Sequence, residues 1–351
     1  MSAVRLGVVG CGVIGRHHLR AASTNEHIDL VAVADRIADR RDGAAAEFGA
    51  RLSLVEGAEL VDSPEVDAVV LAVPAGDRMD LPELALRRRK HVLIEKPVAM
   101  NADAVRRTLS VRGDRVAACC SSRYRAHAAT RAAAGLVATG ALGPLRSVHC
   151  RSLTAAGPPP TAQPPPWRLS RERNAGGILT NWGCYDLDYL MTVTGWSLRP
   201  RTALARTWGV PAQYEAHVAP GSDAEAHYAA IILCDGGAAL SLERGEYMAA
   251  APHSSWRVIG ERGSLRLTMS GSGEKTIWHD EADAADGVRT RVLWRGNEDA
   301  VDLTAGVLAN FAAAILGGEE PWTDLARSLV VQQITDAIYA SSASGGCAAI
   351  E

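Results

Sequence analysis

The stretch that decides the fold is residues 4–18, VRLGVVGCGVIGRHH. It places the pattern G-x-G-x-x-G between an apolar run and the start of a helical segment. Such glycines allow a tight turn, let a pyrophosphate approach the backbone and let helix pack on strand, while the helix N-terminus attracts negative charge. The stretch therefore predicts a dinucleotide-binding turn. The residues expected to contact the cofactor there are Gly10, Gly12, Val13, Ile14 and Gly15.

An acidic residue at the expected distance supports this prediction. Asp35 stands twenty residues after Gly15 and directly follows the apolar run 28–34. A carboxylate at that position can accept a hydrogen bond from the ribose 2′-hydroxyl and would repel a 2′-phosphate, which favours NAD over NADP. Arg36 could pair with a 2′-phosphate, so NADP remains the less favoured alternative.

Outward from this turn, short β-branched runs alternate with helical segments as far as residue 122. Continuous apolar strands separated by helices are typical of a parallel sheet covered on both faces. We therefore predict an α/β, doubly wound Rossmann domain over residues 1–122. The candidate strands are 4–9, 28–34, 67–73, 91–95 and 115–120.

The pattern changes after Arg123. A helix is predicted over 126–139 and a strand over 145–154, followed by the proline-rich loop 156–166. Strand-like runs then crowd the segment 199–296, which favours a large, mostly antiparallel open sheet, and two helices over 303–316 and 323–342 close the chain. The sequence thus predicts a second, α+β domain over residues 123–351 for substrate binding and oligomerisation.

Charge and composition exclude several classes of function. The net charge is −3, so no basic field for nucleic acid is expected. Seven scattered cysteines without a C-x-x-C pair indicate reduced thiols and a cytoplasmic protein. No apolar run has the length of a membrane span. His17 and His18 have no carboxylate at ligand spacing in the sequence, so no metal site is expected.

Lysine is rare in this chain. Of 37 basic residues only Lys90, Lys96 and Lys275 are lysines, a skew typical of a GC-rich genome. Lys90 ends an RRRK run and Lys275 lies in a Gly/Ser-rich stretch, so both are interpreted as replaceable by arginine. Lys96 belongs to Glu95-Lys96-Pro97 at the end of a predicted parallel strand, where ligands bind. It could orient a hydroxyl and stabilise an alkoxide, or be a plain exposed lysine.

The segment 176–188, GGILTNWGCYDLD, supplies a second candidate group. A helix that begins near Thr180 would place Asn181, Tyr185 and Asp188 on one face. A tyrosine phenol can give or take a proton at a sugar carbon, and a nearby ammonium would favour its ionisation. The alternative is an amphipathic packing helix in which Tyr185 is a core aromatic residue.

Taken together, these motifs resemble the glucose-fructose oxidoreductase/inositol dehydrogenase (Gfo/Idh/MocA) family over nearly the whole chain. The resemblance implies a Rossmann domain, a C-terminal open-sheet domain that forms a homodimer or homotetramer, and an active site between them with Lys96 as the catalytic lysine. Its segments include VVGCGVIGRHHLRAA, DAVVLAVPAGDRMDL, HVLIEKPVAMN, GALGPLRSVHCR, AGGILTNWGCYDLDYL and PWTDLARSLVVQQITDAIYASSASG.

The chain departs from the family at its acid–base positions. Members carry aspartate and histidine where Asn181 and Tyr185 stand here. In this respect the chain resembles a branch of sugar dehydrogenases and ketoreductases in natural-product pathways. In that branch tyrosine acts beside the lysine, and Asn181 would be a neutral hydrogen-bonding partner. After Pro74, the family's asparagine and histidine are replaced by Ala75 and Arg78.

The resemblance also implies the remaining contacts. Pro74 and Glu95 belong to the cofactor side, and Arg123, Trp167 and Arg168 to the substrate side; surface arginines and a packing tryptophan are the alternative reading.

The resulting hypothesis is an NAD-dependent oxidoreductase that moves hydride to or from a secondary alcohol or ketone carbon. Its substrate would be a sugar, aminosugar or cyclitol, in antibiotic biosynthesis an aminoglycoside-like or other glycosylated intermediate. Two alternatives remain open: a catalytically silent dinucleotide-sensing regulatory protein, and an NAD-dependent glycosidase.

Overall fold

The computed structural model describes residues 3–351. Its strands are β1 Val4–Val9, β2 Ile28–Ala34, β3 Leu52–Leu54, β4 Ala68–Leu71, β5 His91–Ile94, β6 Ala117–Cys119, β7 Leu145–Ala155, β8 Pro200–Trp208, β9 His227–Cys234, β10 Ala239–Met248, β11 His253–Gly260, β12 Gly263–Leu267, β13 Glu274–Asp283, β14 Gly287–Asn297 and β15 Ala348–Ala349. Its α-helices are α1 Val13–Ser23, α2 Ala38–Phe48, α3 Gly57–Asp62, α4 Ala75–Arg78, α5 Leu81–Arg87, α6 Ala102–Ser110, α7 Ala128–Ala138, α8 Arg171–Asn174, α9 Cys184–Val193, α10 Leu303–Ile315 and α11 Leu325–Ser344.

The chain forms two compact units. The first comprises the chain up to Arg123 together with Asp302–Gln332, and the second comprises Tyr124–Val301 with Gln333–Glu351. The first boundary lies one residue from the predicted one, but 302–332 was assigned to the second domain and packs in the first.

Packing explains why the segment 302–332 belongs to the first unit. Leu308 and Phe311 of α10 lie in the same buried cluster as Leu19 of α1. The amide of Cys119, at the end of β6, donates to the carbonyl of Thr323 over 3.0 Å. These long-range contacts were not readable from a helical pattern near the end of the chain.

The first unit is built on a six-stranded parallel sheet. The strand order is β3-β2-β1-β4-β5-β6, and a doubly wound parallel sheet of this kind is what the sequence predicts. The short edge strand β3 was missed because three residues give no periodicity. Apolar clusters cover both faces of the sheet, as expected for parallel strands buried on two sides.

The second unit is built on a nine-stranded sheet with the order β14-β13-β12-β11-β7-β10-β9-β8-β15. All its pairings are antiparallel except that of β7 with β10. The fold is therefore α/β plus α+β, as predicted. The strand β13 was missed because its sequence, EKTIWHDEAD, is mostly polar. Within residues 3–351 no helix is long and apolar enough to cross a membrane.

Candidate active site

The glycine turn has the geometry that a dinucleotide needs. Gly10 has φ +94°, and a Cβ there would lie 2.6 Å from the carbonyl oxygen of Ala72. At Gly15 a Cβ would lie 1.8 Å from the carbonyl oxygen of Gly10. At Gly12 it would meet no protein atom within 4 Å, so the open space over this residue is available to a ligand. Val13 and Ile14 follow as the first two residues of α1, and the N-terminus of a helix attracts negative charge.

Asp35 and Arg36 differ in how they are held. The Asp35 carboxylate accepts from the amides of Cys11 and Ile37, each over 2.8 Å, so it is fixed beside the glycine turn. The Arg36 guanidinium is exposed and pairs with Glu56 over 3.0 Å. The acid is thus fixed beside the glycine turn, whereas the arginine is held by a neighbouring carboxylate.

Lys96 follows β5 on a backbone tied to a buried carboxylate. Glu95 is 3% exposed, and its Oε2 accepts from the amide of Lys96 over 3.0 Å. Its Oε1 lies 2.9 Å from His18 Nε2 and 3.1 Å from the Arg123 guanidinium. Burial alone would raise the Glu95 pKa, but Arg123 and His18 outweigh it and hold the pKa well below its usual range. The Lys96–Pro97 peptide bond is cis.

His18 has no carboxylate at ligand spacing in the sequence, but the fold brings Glu95 to it. His18 and Glu95 are 77 positions apart in the chain and meet only after folding. With Cys120 they place three possible ligand atoms within 4.8 Å of one another. Arg123 already neutralises the carboxylate, and burial raises the pKa of the Cys120 thiol. A divalent cation would therefore meet a protonated thiol and a neighbouring guanidinium.

The sequence did not single out Arg78 as part of the lysine's surroundings. Arg78 ends α4 just after Pro74, and it is 2% exposed. Its guanidinium donates to the carbonyl oxygens of Glu95 and Pro97. The only sequence signal was its departure from the family pattern.

In the second unit, Asn181 and Tyr185 lie on a helix with an irregular first turn. Leu179–Gly183 is a π-helical turn that continues directly into α9, and such turns recur at functional sites. Asn181 is half-buried, whereas every residue of α9 is buried, so this helix is not amphipathic. The wider π turn also disturbs the single face predicted from α-helical spacing.

Aromatic rings surround Tyr185, which is 4% exposed. The rings of Tyr124 and Trp182 contact it edge-on, with centroids 5.6 Å and 5.7 Å away. Cys184 beside it is buried, and its thiol lies 3.2 Å from the carbonyl oxygen of Thr180. Cys184 therefore packs as a small buried residue in this helix.

A buried carboxylate anchors the start of this helix. Oε1 of Glu225 accepts from the amides of Gly177 and Leu179, each over 3.0 Å, and from the Tyr339 hydroxyl over 2.8 Å. A Cβ at Gly177 would lie 1.8 Å from the Glu225 carbonyl oxygen, and at Gly176 it would lie 1.9 Å from the Tyr339 hydroxyl. The glycines therefore let the chain reach its anchor. Burial raises the Glu225 pKa.

A second anchor holds the residue after Tyr185. Asp186 is fully buried and accepts from the Arg244 guanidinium over 2.6 and 2.8 Å, and from Trp256 Nε1 over 2.9 Å. The same guanidinium lies over the Trp182 ring, 4.9 Å from its centroid. This network links the helix to β10 and β11, and no local sequence pattern indicates it.

The predicted substrate-side residues have partners within the protein. Arg168 forms an ion pair with Glu246 over 2.5 Å and donates to the Tyr247 hydroxyl over 3.2 Å. Trp167 beside it is half-buried. Arg123 contacts Glu95, as described above. Their roles toward a substrate remain predictions.

The two other lysines are not the replaceable residues that the sequence suggested. Nζ of Lys90 donates to the carbonyl oxygens of Ser63 and Val66 over 2.9 and 2.7 Å. Lys275 is 5% exposed within β13, and burial lowers its pKa. Both are therefore structural amines.

Comparisons with known proteins agree with this architecture. Residues 4–114 match the family described as "Oxidoreductase family, NAD-binding Rossmann fold", and residues 130–266 match "GFO/IDH/MocA C-terminal domain". A dTDP-3,4-didehydro-2,6-dideoxy-alpha-D-glucose 3-reductase of Streptomyces violaceoruber is 31% identical over 333 residues, which cover 93% of this chain and 90% of that protein.

Solved structures share the fold over the full length. A levoglucosan dehydrogenase in complex with NADH and L-sorbose has a TM-score of 0.84 at 19% identity and is covered completely, as is this chain. GenD2 from gentamicin A biosynthesis, in complex with NAD, has a TM-score of 0.80 at 21% identity, with 100% of this chain and 97% of that chain covered. Both of its domains match models of one family, and its first unit has the Rossmann sheet and glycine turn of a dinucleotide-binding protein. The chain therefore belongs to the Gfo/Idh/MocA family of NAD-binding sugar and cyclitol oxidoreductases.

Proposed function

We propose that this chain interconverts a secondary alcohol and a ketone on a sugar, aminosugar or cyclitol, with Lys96, Tyr185 and Asn181 as its catalytic residues. The observation that carries this is Lys96, which follows β5 of the NAD-binding sheet on a backbone held by Glu95. The nicotinamide supplies or accepts the hydride when the cofactor is bound. A lysine at that edge of the sheet can stabilise the alkoxide oxygen.

Proton transfer is assigned to Tyr185. In the direction of reduction its hydroxyl would donate a proton to the oxygen of the nascent alkoxide, while Lys96 polarises that oxygen. Asn181 would orient the substrate hydroxyl through its amide. The family's aspartate and histidine are absent, so no imidazole base is available at those two positions. Trp167, Arg168 and Arg123 remain proposed substrate contacts.

Two classes of natural-product intermediate are candidate substrates. The similarity to a dTDP-keto-sugar reductase over 93% of the chain supports a nucleotide-activated keto-sugar and the direction of reduction. Similarity of fold to GenD2 is the weaker support for an aminoglycoside intermediate. We also propose that the second unit's sheet forms a homo-oligomer, as the resemblance implies.

A cofactor-monitored screen tests the proposal. Dehydrogenation and reduction are followed by NADH absorbance with a panel of hexoses, cyclitols, dTDP-keto-sugars and aminoglycoside intermediates, with NAD and NADP in parallel. We expect Lys96→Ala and Tyr185→Phe each to lower kcat by at least 100-fold, because a positioned proton-transferring group typically contributes about 100- to 10,000-fold.

Tyr189→Phe is the matched control. Tyr189 lies one turn further along α9, and its buried hydroxyl has no hydrogen-bond partner among residues 3–351, so its loss should leave kcat within twofold. Near-wild-type turnover of both Lys96→Ala and Tyr185→Phe would refute the assignment. Absence of cofactor redox change with the whole panel would favour a sensing protein, and glycosidic cleavage without net NADH would favour a glycosidase.

A further inference from the structure

Arg78 is a buried cation that the proposed chemistry does not use. It is 2% exposed, and arginine is almost never that buried unless it has partners. Burial lowers the pKa of its guanidinium to about 10, so it still carries its charge at neutral pH. Burying a charge has a substantial cost, and a plain packing role could be filled by an apolar side chain.

The contacts of Arg78 surround one residue. One arm of the guanidinium donates to the carbonyl oxygen of Glu95 and the other to that of Pro97, the two residues flanking Lys96. The guanidinium is planar and its donors have a fixed separation, so it fixes the distance between its two acceptors. Lysine or histidine cannot provide the same rigid double donor.

Glu95 restrains the same point from the other side. Its Oε2 accepts from the amide of Lys96, and its Oε1 is held by His18 and Arg123. The backbone groups at and beside Lys96 are therefore tied to two buried side chains. Both side chains therefore hold the backbone from which the Lys96 side chain starts.

We propose that Arg78 is a positioning residue, which sets the direction of the Lys96 side chain by joining the carbonyl groups on either side of it. The proposal rests on the proposed function, because it matters for turnover only if Lys96 acts on the substrate. It explains why α4, a single turn after β4, ends in a buried arginine in this chain.

The rarity of lysine gives a direct test that needs no substrate. The folded protein is labelled briefly with acetic anhydride across a pH series, and mass spectrometry of peptides resolves Lys90, Lys96 and Lys275. We expect Arg78→Met to raise the labelling rate of Lys96 at least threefold, because its backbone is released. The rates of Lys90 and Lys275 should stay within 1.5-fold, and they serve as internal references.

Two further variants separate positioning from general destabilisation. Arg78→Lys keeps the positive charge but not the two-armed donor of the guanidinium, so we expect an intermediate labelling rate at Lys96. This variant also tests the proposal if Arg78→Met fails to fold. Arg51→Met removes an exposed guanidinium of the same unit, paired with Asp29, and should leave the labelling rates of all three lysines unchanged. If Arg78→Met leaves Lys96 unchanged, or speeds all three lysines equally, positioning is refuted.

A double-mutant cycle then connects position to turnover of the panel substrate. We expect Arg78→Met to lower kcat at least tenfold with KM within threefold, and to have less than a twofold further effect when Lys96 is already alanine. Equal effects in both backgrounds would overturn the proposal. If Lys96→Ala itself retains turnover, the proposed function fails, while the labelling still decides whether Arg78 positions the lysine.

Discussion

Loss of Arg244 should be among the costliest single substitutions in the second unit. Arg244 is 6% exposed, and it is the cation that neutralises fully buried Asp186, the neighbour of Tyr185. Arg244→Met fills a similar volume but removes both guanidinium bonds, 2.6 and 2.8 Å long. The carboxylate would keep the Trp256 bond.

The size of the effect follows from this geometry. Removing one partner of a buried ion pair typically costs about 3–5 kcal/mol, because the other charge stays buried. The remaining Trp256 bond places the expected loss near the lower end, about 3–4 kcal/mol. At roughly 2–4 °C per kcal/mol for a unit of this size, Tm should fall by roughly 10 °C.

The chain offers a matched control. Arg266 also pairs with an aspartate, Asp280 at 3.0 Å, and also lies over a tryptophan ring, Trp278 at 5.2 Å, but its side chain is 39% exposed. Exposed pairs contribute about 0–1 kcal/mol, so Arg266→Met should shift the free energy of unfolding by no more than that.

Urea unfolding followed by tryptophan fluorescence measures both variants. A cost for Arg244→Met no larger than that for Arg266→Met would refute the reasoning from burial. Adding Asp186→Leu to Arg244→Met should recover part of the loss, since a buried pair can be replaced by apolar residues at little cost. An additive double variant would show that the two charges are not coupled.

Three further predictions concern other sites. Asp35→Asn should weaken NADH binding about tenfold in a fluorescence titration and reduce the preference for NADH over NADPH. The substitution removes one acceptor for the ribose hydroxyl and the negative charge that repels a 2′-phosphate. An unchanged preference would contradict the role of the acid. Burial lowers the pKa of His91 from 6.5 to about 4. Between pH 6.5 and pH 4 the imidazole is therefore protonated in the unfolded state but neutral in the folded state. The free energy of unfolding should fall as the pH drops through this range. His91→Gln should flatten that slope in urea melts at stepped pH, whereas His253→Gln, at an exposed position, should leave it unchanged. Glu225→Ala should lower the free energy of unfolding by about 2–3 kcal/mol, because three donors lose their acceptor. Glu225→Gln keeps an oxygen at that position and should lower it by no more than about 1 kcal/mol. Equal losses for the two variants would indicate that the charge of Glu225 matters instead.

Local pattern was sufficient for much of the architecture. The glycine turn, the alternating strands of the first unit and the acid Asp35 are encoded over short stretches, because periodicity and turn chemistry are local properties. Elements with weak local signals were missed, such as β3 with three residues and the polar strand β13. The placement of 302–332 depended on packing against α1 and β6, which no local pattern reports.

For the candidate site, sequence patterns were enough to identify the cofactor turn, a lysine after β5 and a tyrosine in place of the family's histidine. The contacts that hold these groups became visible only in the fold. His18 reaches Glu95 across 77 positions, Arg78 joins the carbonyls beside Lys96, and Arg244 neutralises Asp186. Hydrogen bonds and ion pairs depend on distances that the fold creates between residues far apart in the chain, so they leave no periodic signal. The same reason explains Lys90 and Lys275, which look replaceable in sequence and prove to be buried or bonded amines.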